Sequence, residues 1–180
     1  TNRCDYPILL SYLELADPDV TTGLEKAAKI AQKGGRVIVL PLFLGAAKHQ
    51  KNDLPVALHW ARRTMPEVDF SYASPFEPHG NLTRLLSLRI DEALVNEKNA
   101  EPKSESVVLV VGRGSSDPQS NSEIAREAYF LYEMATYRWV GYAFQAVVHP
   151  LVTEAVHQII DCFKPPQLIL APFLLFDGFV

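Results

Sequence analysis

The sequence predicts an α/β protein made of parallel β-α-β units and laid out as two related halves. Three observations carry this: apolar runs of strand length, helical apolar spacing between them, and one pattern that occurs twice. The runs are 36–44 (RVIVLPLFL), 107–111 (VVLVV) and 167–175 (QLILAPFLL). Nearly unbroken apolar stretches of that length suit strands buried on both faces of a parallel sheet. Residues 7–13, 68–72 and 139–147 read as further strands.

Helices fall between these runs. Leu54, Leu58, Ala61 and Met65 are spaced by four, three and four, and Ile124, Ala128, Leu131 and Ala135 repeat that spacing. Each set lines one face of a helix. Leu82, Leu85, Leu86, Ala93 and Leu94 trace a third. Asp17-Pro18 and Asp117-Pro118 each offer a capping carboxylate followed by proline at the first helical position. Strands alternating with helices of this length imply right-handed crossovers in a layered fold.

The repeated pattern runs from Ser11-Tyr12 through Pro18, a helix and 37–44, and again from Ala143-Phe144 through Pro150, a helix and 168–175. Pro18 and Pro150 lie 132 apart, and Pro41 and Pro172 lie 131 apart, so one register with a single-residue gap covers both. A proline inside the second strand of both copies is unusual, because proline cannot donate to a ladder. Relative to the second half, the first lacks an opening strand and helix. The second stops before any counterpart of 52–94, so both ends are expected to be clipped. The polar stretch 96–106 (NEKNAEPKSES) has linker composition. The expected division is a first lobe at 1–97, a linker at 98–105 and a second lobe at 106–180.

The chain has 180 residues, 48% of them hydrophobic, with 17 basic and 21 acidic side chains and a formal charge of −4. That composition belongs to globular proteins and is long enough for one domain or two small ones. No run reaches the roughly 18 apolar residues of a membrane span, and no basic-then-apolar leader opens the chain. A cytoplasmic protein without membrane partners is expected. Mild acidity without a basic run argues against nucleic acid, whose backbone is bound by clustered Lys and Arg. Cys4 and Cys162 stand in no metal or redox spacing and read as reduced structural thiols.

Two junctions concentrate the chemistry. The first is 45–55 (GAAKHQKNDLP), directly after an apolar run. Ligands in open α/β sheets bind beyond the carboxyl ends of strands, which is where this reading puts His49. Imidazole titrates near neutrality and binds divalent metals, and Lys48 and Lys51 would draw a carboxylate-bearing ligand. The plainer alternative for His49 is a solvated loop histidine. The second junction is 111–118 (VGRGSSDP), where two glycines flank Arg113 and let a ligand approach the backbone. It lacks the complete dinucleotide and P-loop patterns, so Arg113 reads as a carboxylate contact or as a turn arginine paired locally. His149 falls beyond a strand end as His49 does, and Glu14 is the acidic group placed to face the same cleft. His59 and His157 read as helix-surface residues, and His79 as a helix start. No Gly-x-Ser-x-Gly or His-Glu-x-x-His motif supports a hydrolase or zincin.

Together, 40–55 (LPLFLGAAKHQKNDLP), 14–18 (ELADP), 110–118 (VVGRGSSDP) and 171–178 (APFLLFDG) resemble the class II chelatases, in particular the long, two-repeat sirohydrochlorin cobaltochelatases. The resemblance spans essentially the whole chain. It implies two Rossmann-like lobes facing across a cleft that holds a tetrapyrrole, and a divalent metal inserted without ATP or an organic cofactor. Co²⁺ is the expected substrate metal, with Fe²⁺ the alternative. His49 matches the family's second metal-binding, proton-accepting histidine. The first, in a Gly-His-Gly turn, would precede Thr1, and the matching turn of the second half carries Arg113 instead. Glu14 then joins His49 as catalytic, with Arg113, Lys48, Lys51 and His149 binding the carboxylate-rich substrate. A monomer is expected, with a dimer as the alternative. Rival readings are a non-catalytic tetrapyrrole or metal binder and a nucleotide-binding α/β domain.

Overall fold

The computed structural model describes residues 5–13, 16–44, 48–76 and 79–175, with backbone only for 48–52. The chain forms two compact units, one within Thr1–Pro41 and Lys48–Pro75, the other within Leu42–Ala47 and Phe76–Val180. Both are α/β with parallel strands, as expected.

The first unit contains α1 (Val20–Ala31), β1 (Arg36–Val39), α2 (Lys48–Thr64) and β2 (Asp69–Tyr72). β1 pairs with β2 in register Arg36↔Asp69 to Val39↔Tyr72. Val37 and Val39 pack on a core of Leu24, Ala28, Leu58, Ala61, Val68 and Phe70. The other face of β1 is uncovered, with Ile38 67% exposed, so this run is not buried on both faces as its composition predicts. An exposed Arg36–Asp69 ion pair at 2.7 Å closes the register. Such surface pairs contribute under about 1 kcal/mol, so the apolar core decides the packing.

Two expectations are corrected here. Asp17-Pro18 does not start α1: Asp19 is the cap and accepts from the Thr22 amide at 2.7 Å. Pro18 is spent on the preceding turn, where its carbonyl accepts from the Tyr12 amide at 2.9 Å. Residues 7–13 form no strand; only Tyr12 bridges, to Asp19. This segment runs so close to α1 that a Cβ on Gly23 would sit 1.8 Å from the Ser11 hydroxyl.

The second unit contains α3 (Gly80–Val95), a 3-10 turn (Lys103–Glu105), β3 (Ser106–Gly112), α4 (Pro118–Met134), β4 (Trp139–Phe144), α5 (Val152–Phe163) and β5 (Gln167–Pro172). The strand order is β4-β3-β5, all parallel. Every residue of β3 is buried, and its side chains alternate between two cores. Val108 and Val110 pack with Leu86 and Ile90 of α3 and Ile124, Ala128 and Leu131 of α4. Val107, Leu109 and Val111 pack with Ala155 and Ile159 of α5. Burying each such side chain gives roughly 1.5–3 kcal/mol, which makes β3 the main stabilising strand of this unit. Pro172 ends β5, which among the described residues is an edge strand, where proline's missing amide leaves no ladder bond unmade.

α3 precedes the polar stretch in sequence and packs with the second unit. That stretch is held to the unit. The Gln167 side-chain carbonyl accepts from the Glu101 amide at 3.1 Å, and Lys103 pairs with Asp91 and lies 5.7 Å over the Tyr137 ring.

The sequence repeat is visible in the backbone. An offset of 132 carries the Tyr12↔Asp19 bridge onto Phe144↔Leu151, and the bounds of α1 onto those of α5. It also carries Gln32 onto Lys164, each a positive-φ residue ending its helix. An offset of 131 then carries the start of β1, Arg36, onto that of β5, Gln167, so the single-residue gap lies in the intervening turn. The matched prolines differ in place: Pro172 is in β5, whereas Pro41 lies past the end of β1.

Candidate functional site

At the carboxyl end of β3 the chain turns through Gly112-Arg113-Gly114 into α4. Asp117 caps that helix, accepting from the Gln119 amide at 3.0 Å, with Pro118 at the first helical position as the sequence predicts. Ser115 and Asn121 lock the turn reciprocally: Asn121 Oδ1 accepts from the Ser115 amide at 2.9 Å, and Asn121 Nδ2 donates to the Ser115 carbonyl at 2.7 Å. Gly114 has φ +90, and a Cβ there would meet the Ala146 carbonyl oxygen at 2.0 Å. Only glycine allows this close approach. The Arg113 side chain stands exposed on the turn.

The segment that crowds Gly114 leaves the adjacent strand, β4. Gln145 and Ala146 donate their amides to the Gly112 and Arg113 carbonyls at 2.9 and 3.1 Å. The Val148 amide then donates to the Ala146 carbonyl at 2.9 Å, around Val147 at φ 74. That three-residue closure about a positive φ is the rare, strained γ-turn, here at a β-branched residue. The turn ends in His149-Pro150 and α5. His149 is exposed, and its Nδ1 lies 2.8 Å from Glu154 Oε2. The same oxygen accepts from the Leu151 amide at 2.9 Å. The His149 contact first, and the Leu151 amide second, hold the Glu154 carboxyl below its ordinary value. The arrangement is therefore an ionised carboxylate that holds an imidazole, 76% exposed, by one nitrogen.

Arg113 and His149 thus stand on two touching turns at the carboxyl end of one sheet. Glu14 lies outside the described residues. Lys48, His49 and Lys51 lie at the start of α2, which begins at Lys48 and carries Pro55 in its interior, so the expected loop 45–55 is helical from Lys48 onward. Their side chains are outside the described residues. Among the described residues no three His, Cys, Asp or Glu side chains gather to hold a metal. His79 caps α3, its Nδ1 accepting from the Asn81 amide at 3.3 Å, and His59 and His157 are exposed on their helices. Cys162 is a free, exposed thiol; Cys4 lies outside the described residues.

Two residues escaped the sequence reading. Glu154 sits three residues past the helix cap, the position from which Glu reaches back to cap residues. Glu127 falls on the apolar face of α4, three after Ile124 and four before Leu131, and is fully buried with neither oxygen in a hydrogen bond of good geometry. Burial pushes its carboxyl up, against smaller opposing effects of the Thr83 hydroxyl and Arg126. Its place in the apolar period was the available signal.

A family model, CbiX, matches residues 2–93 and 107–180, one segment in each half. The chain belongs to the CbiX family. CbiX proteins are class II chelatases, and the two matched segments agree with the two-repeat organisation. A sirohydrochlorin cobaltochelatase of Priestia megaterium is 31% identical over 169 residues, covering 93% of this chain and 53% of that protein. A sirohydrochlorin ferrochelatase of the same organism is 33% identical over 175 residues, covering 97% and 63%. The solved structure of SirB from Bacillus subtilis with Fe³⁺ superposes with a TM-score of 0.81 at 27% identity, over 98% of this chain and 67% of that one. This CbiX chain therefore spans between half and two thirds of the length of these curated relatives.

Proposed function

We propose that this CbiX protein inserts a divalent metal into sirohydrochlorin, with Co²⁺ as the metal and cobalamin synthesis as the setting. The observation that carries this reading is the CbiX match across both halves, with Lys48-His49-x-Lys51-Asn52-Asp53 at the start of α2. A relative named for cobalt and one named for iron match almost equally well, so Fe²⁺ insertion toward siroheme is the second reading. The first lobe is proposed at 1–97 and the second at 106–180. The protein acts in the cytoplasm as a monomer.

The reaction exchanges two pyrrole N–H protons for one metal ion, so the macrocycle loses two protons as the metal sheds waters. A site for this needs a base that works near neutrality and a weak, transient metal ligand. His49 fills both roles, with Glu14 as a second proton acceptor. A thiolate cluster would hold the metal too firmly for release. Lys48, Lys51, Arg113 and His149 meet the substrate's carboxylates, for which charge-assisted hydrogen bonds are the strong kind.

The test is the absorbance change of sirohydrochlorin incubated anaerobically with the full-length protein and Co²⁺, then Fe²⁺, against enzyme-free controls. Acceleration establishes the chelatase and the rate ratio ranks the metals. Pigment binding without acceleration makes the protein a carrier instead. His49→Ala is expected to lower insertion at least about a hundredfold with an unchanged circular dichroism spectrum. Near-normal turnover would remove His49 from the mechanism.

A further inference from the structure

We infer that Glu154 is a positioning residue for substrate binding: it clamps His149 by Nδ1 on the strained 145–150 turn, so that Nε2 is presented beside the Arg113 turn to a substrate carboxylate. The inference rests on the proposed tetrapyrrole reading for the identity of the ligand, but not for the clamp itself.

Three features of the turn act together. Its first residues are fixed by two amide donations to the Gly112 and Arg113 carbonyls, so the position of one turn sets that of the other. Its middle stores strain at Val147, φ 74 with the side chain 71% exposed. Backbone strain of this kind costs on its own and persists where surrounding contacts impose it. Toward its end, His149 is held by a carboxylate oxygen that already has a partner in the Leu151 amide. Capping α5 needs only that amide. The corresponding turn of the first half shows the simpler solution: Asp19 caps α1 with its own side chain.

The chemistry of the clamp is directional. An ionised Glu154 can only accept, so Nδ1 of His149 must donate. Nε2 is then the nitrogen left for a ligand, donating when the ring is protonated. A carboxylate that holds one ring nitrogen sets which way the other nitrogen faces, and an exposed pair of this kind contributes up to about 1 kcal/mol. Arg113, exposed on the touching turn, supplies a second donor for an anionic ligand.

The experiment uses the full-length protein with His149→Gln, Glu154→Ala, Glu154→Gln and the double variant His149→Gln/Glu154→Ala. Two-bond nitrogen–proton NMR of the histidine side chains, taken where His149 is neutral, is expected to show the Nδ1–H tautomer in the natural protein and its loss in Glu154→Ala. Glu154→Gln, whose amide oxygen still accepts, is expected to keep much of it. In the insertion assay, His149→Gln and Glu154→Ala should each raise KM for sirohydrochlorin about two- to fivefold with kcat nearly unchanged. The double variant should equal His149→Gln, because both changes remove one interaction. An unchanged tautomer in Glu154→Ala, or KM effects that multiply in the double variant, would overturn the inference. If the natural protein neither binds nor metallates sirohydrochlorin, the functional reading fails while the tautomer result still decides the clamp. Should Glu154→Ala fail to fold, Glu154→Gln and His149→Gln carry the comparison.

Discussion

The chain enters α1 through Asp17-Pro18-Asp19 and α5 through His149-Pro150-Leu151, and the two turns share one backbone. Each X-Pro bond is cis, and each proline carbonyl accepts an amide at 2.9 Å, from Tyr12 in one half and Phe144 in the other. The side chains divide the work differently. In the first half the cap residue itself is the acceptor, and its Thr22 contacts hold Asp19 below the ordinary carboxylate value. In the second half the cap position is Leu151, which has no acceptor, and Glu154 takes over while also engaging His149. A duplicated scaffold has thus kept its hydrogen-bond frame and reassigned the polar positions around it. The sheets show the same contrast, with β1 open on one face and β3 covered on both.

The comparison is open to direct attack. The largest expected effect is Gly114→Ala, which places a methyl 2.0 Å from the Ala146 oxygen at φ +90. It should cost about 3 kcal/mol in denaturant unfolding, and a cost below about 1 kcal/mol would mean the two turns do not constrain each other. Next is Glu127→Leu. Burial raises the folded value of this carboxyl above its ordinary 4.5, so its contribution is full below that value and is lost as pH rises through the folded one. Within that window the natural protein should lose about tenfold in unfolding equilibrium per pH unit relative to the variant. In mild alkali Glu127→Leu should be the more stable by roughly 1–3 kcal/mol. Parallel pH profiles would show that Glu127 finds a partner in solution. The smallest effect belongs to Asp19→Ala, a modest fall in melting temperature near neutrality. Because the folded value of Asp19 is lowered, that difference should vanish as pH falls through it from 3.8. A difference that persists in strong acid would assign the loss to something other than the cap.

The duplicated register was legible because apolar runs and paired prolines survive in both halves. The Asp117 cap was legible because one carboxylate precedes one proline. At Asp17-Pro18-Asp19 two carboxylates flank the proline, and only the Tyr12 contact decides that the second caps the helix. The start of α2 is not legible, because Pro55 is compatible with a helix beginning there, whereas the helix runs through it from Lys48. Residues 36–44 read as doubly buried, since composition reports apolarity but not which faces are covered. The positions of Arg113 and His149 beyond strand ends are legible in the sequence. The clamp on His149 is not, because it depends on a γ-turn that folds the chain back through a conformation valine rarely adopts.

Among the described residues β3 pairs only with β4 and β5, and both are made later. During synthesis the 107–111 run therefore leaves the ribosome as an unpaired template. Its ladder to β5, from Ser106↔Gln167 onward, waits for roughly sixty more residues. At cellular translation speeds that is on the order of 3–12 s. An apolar, β-branched segment left unpaired that long is open to pairing with neighbouring chains, and slower elongation across α4 and α5 would lengthen that exposure.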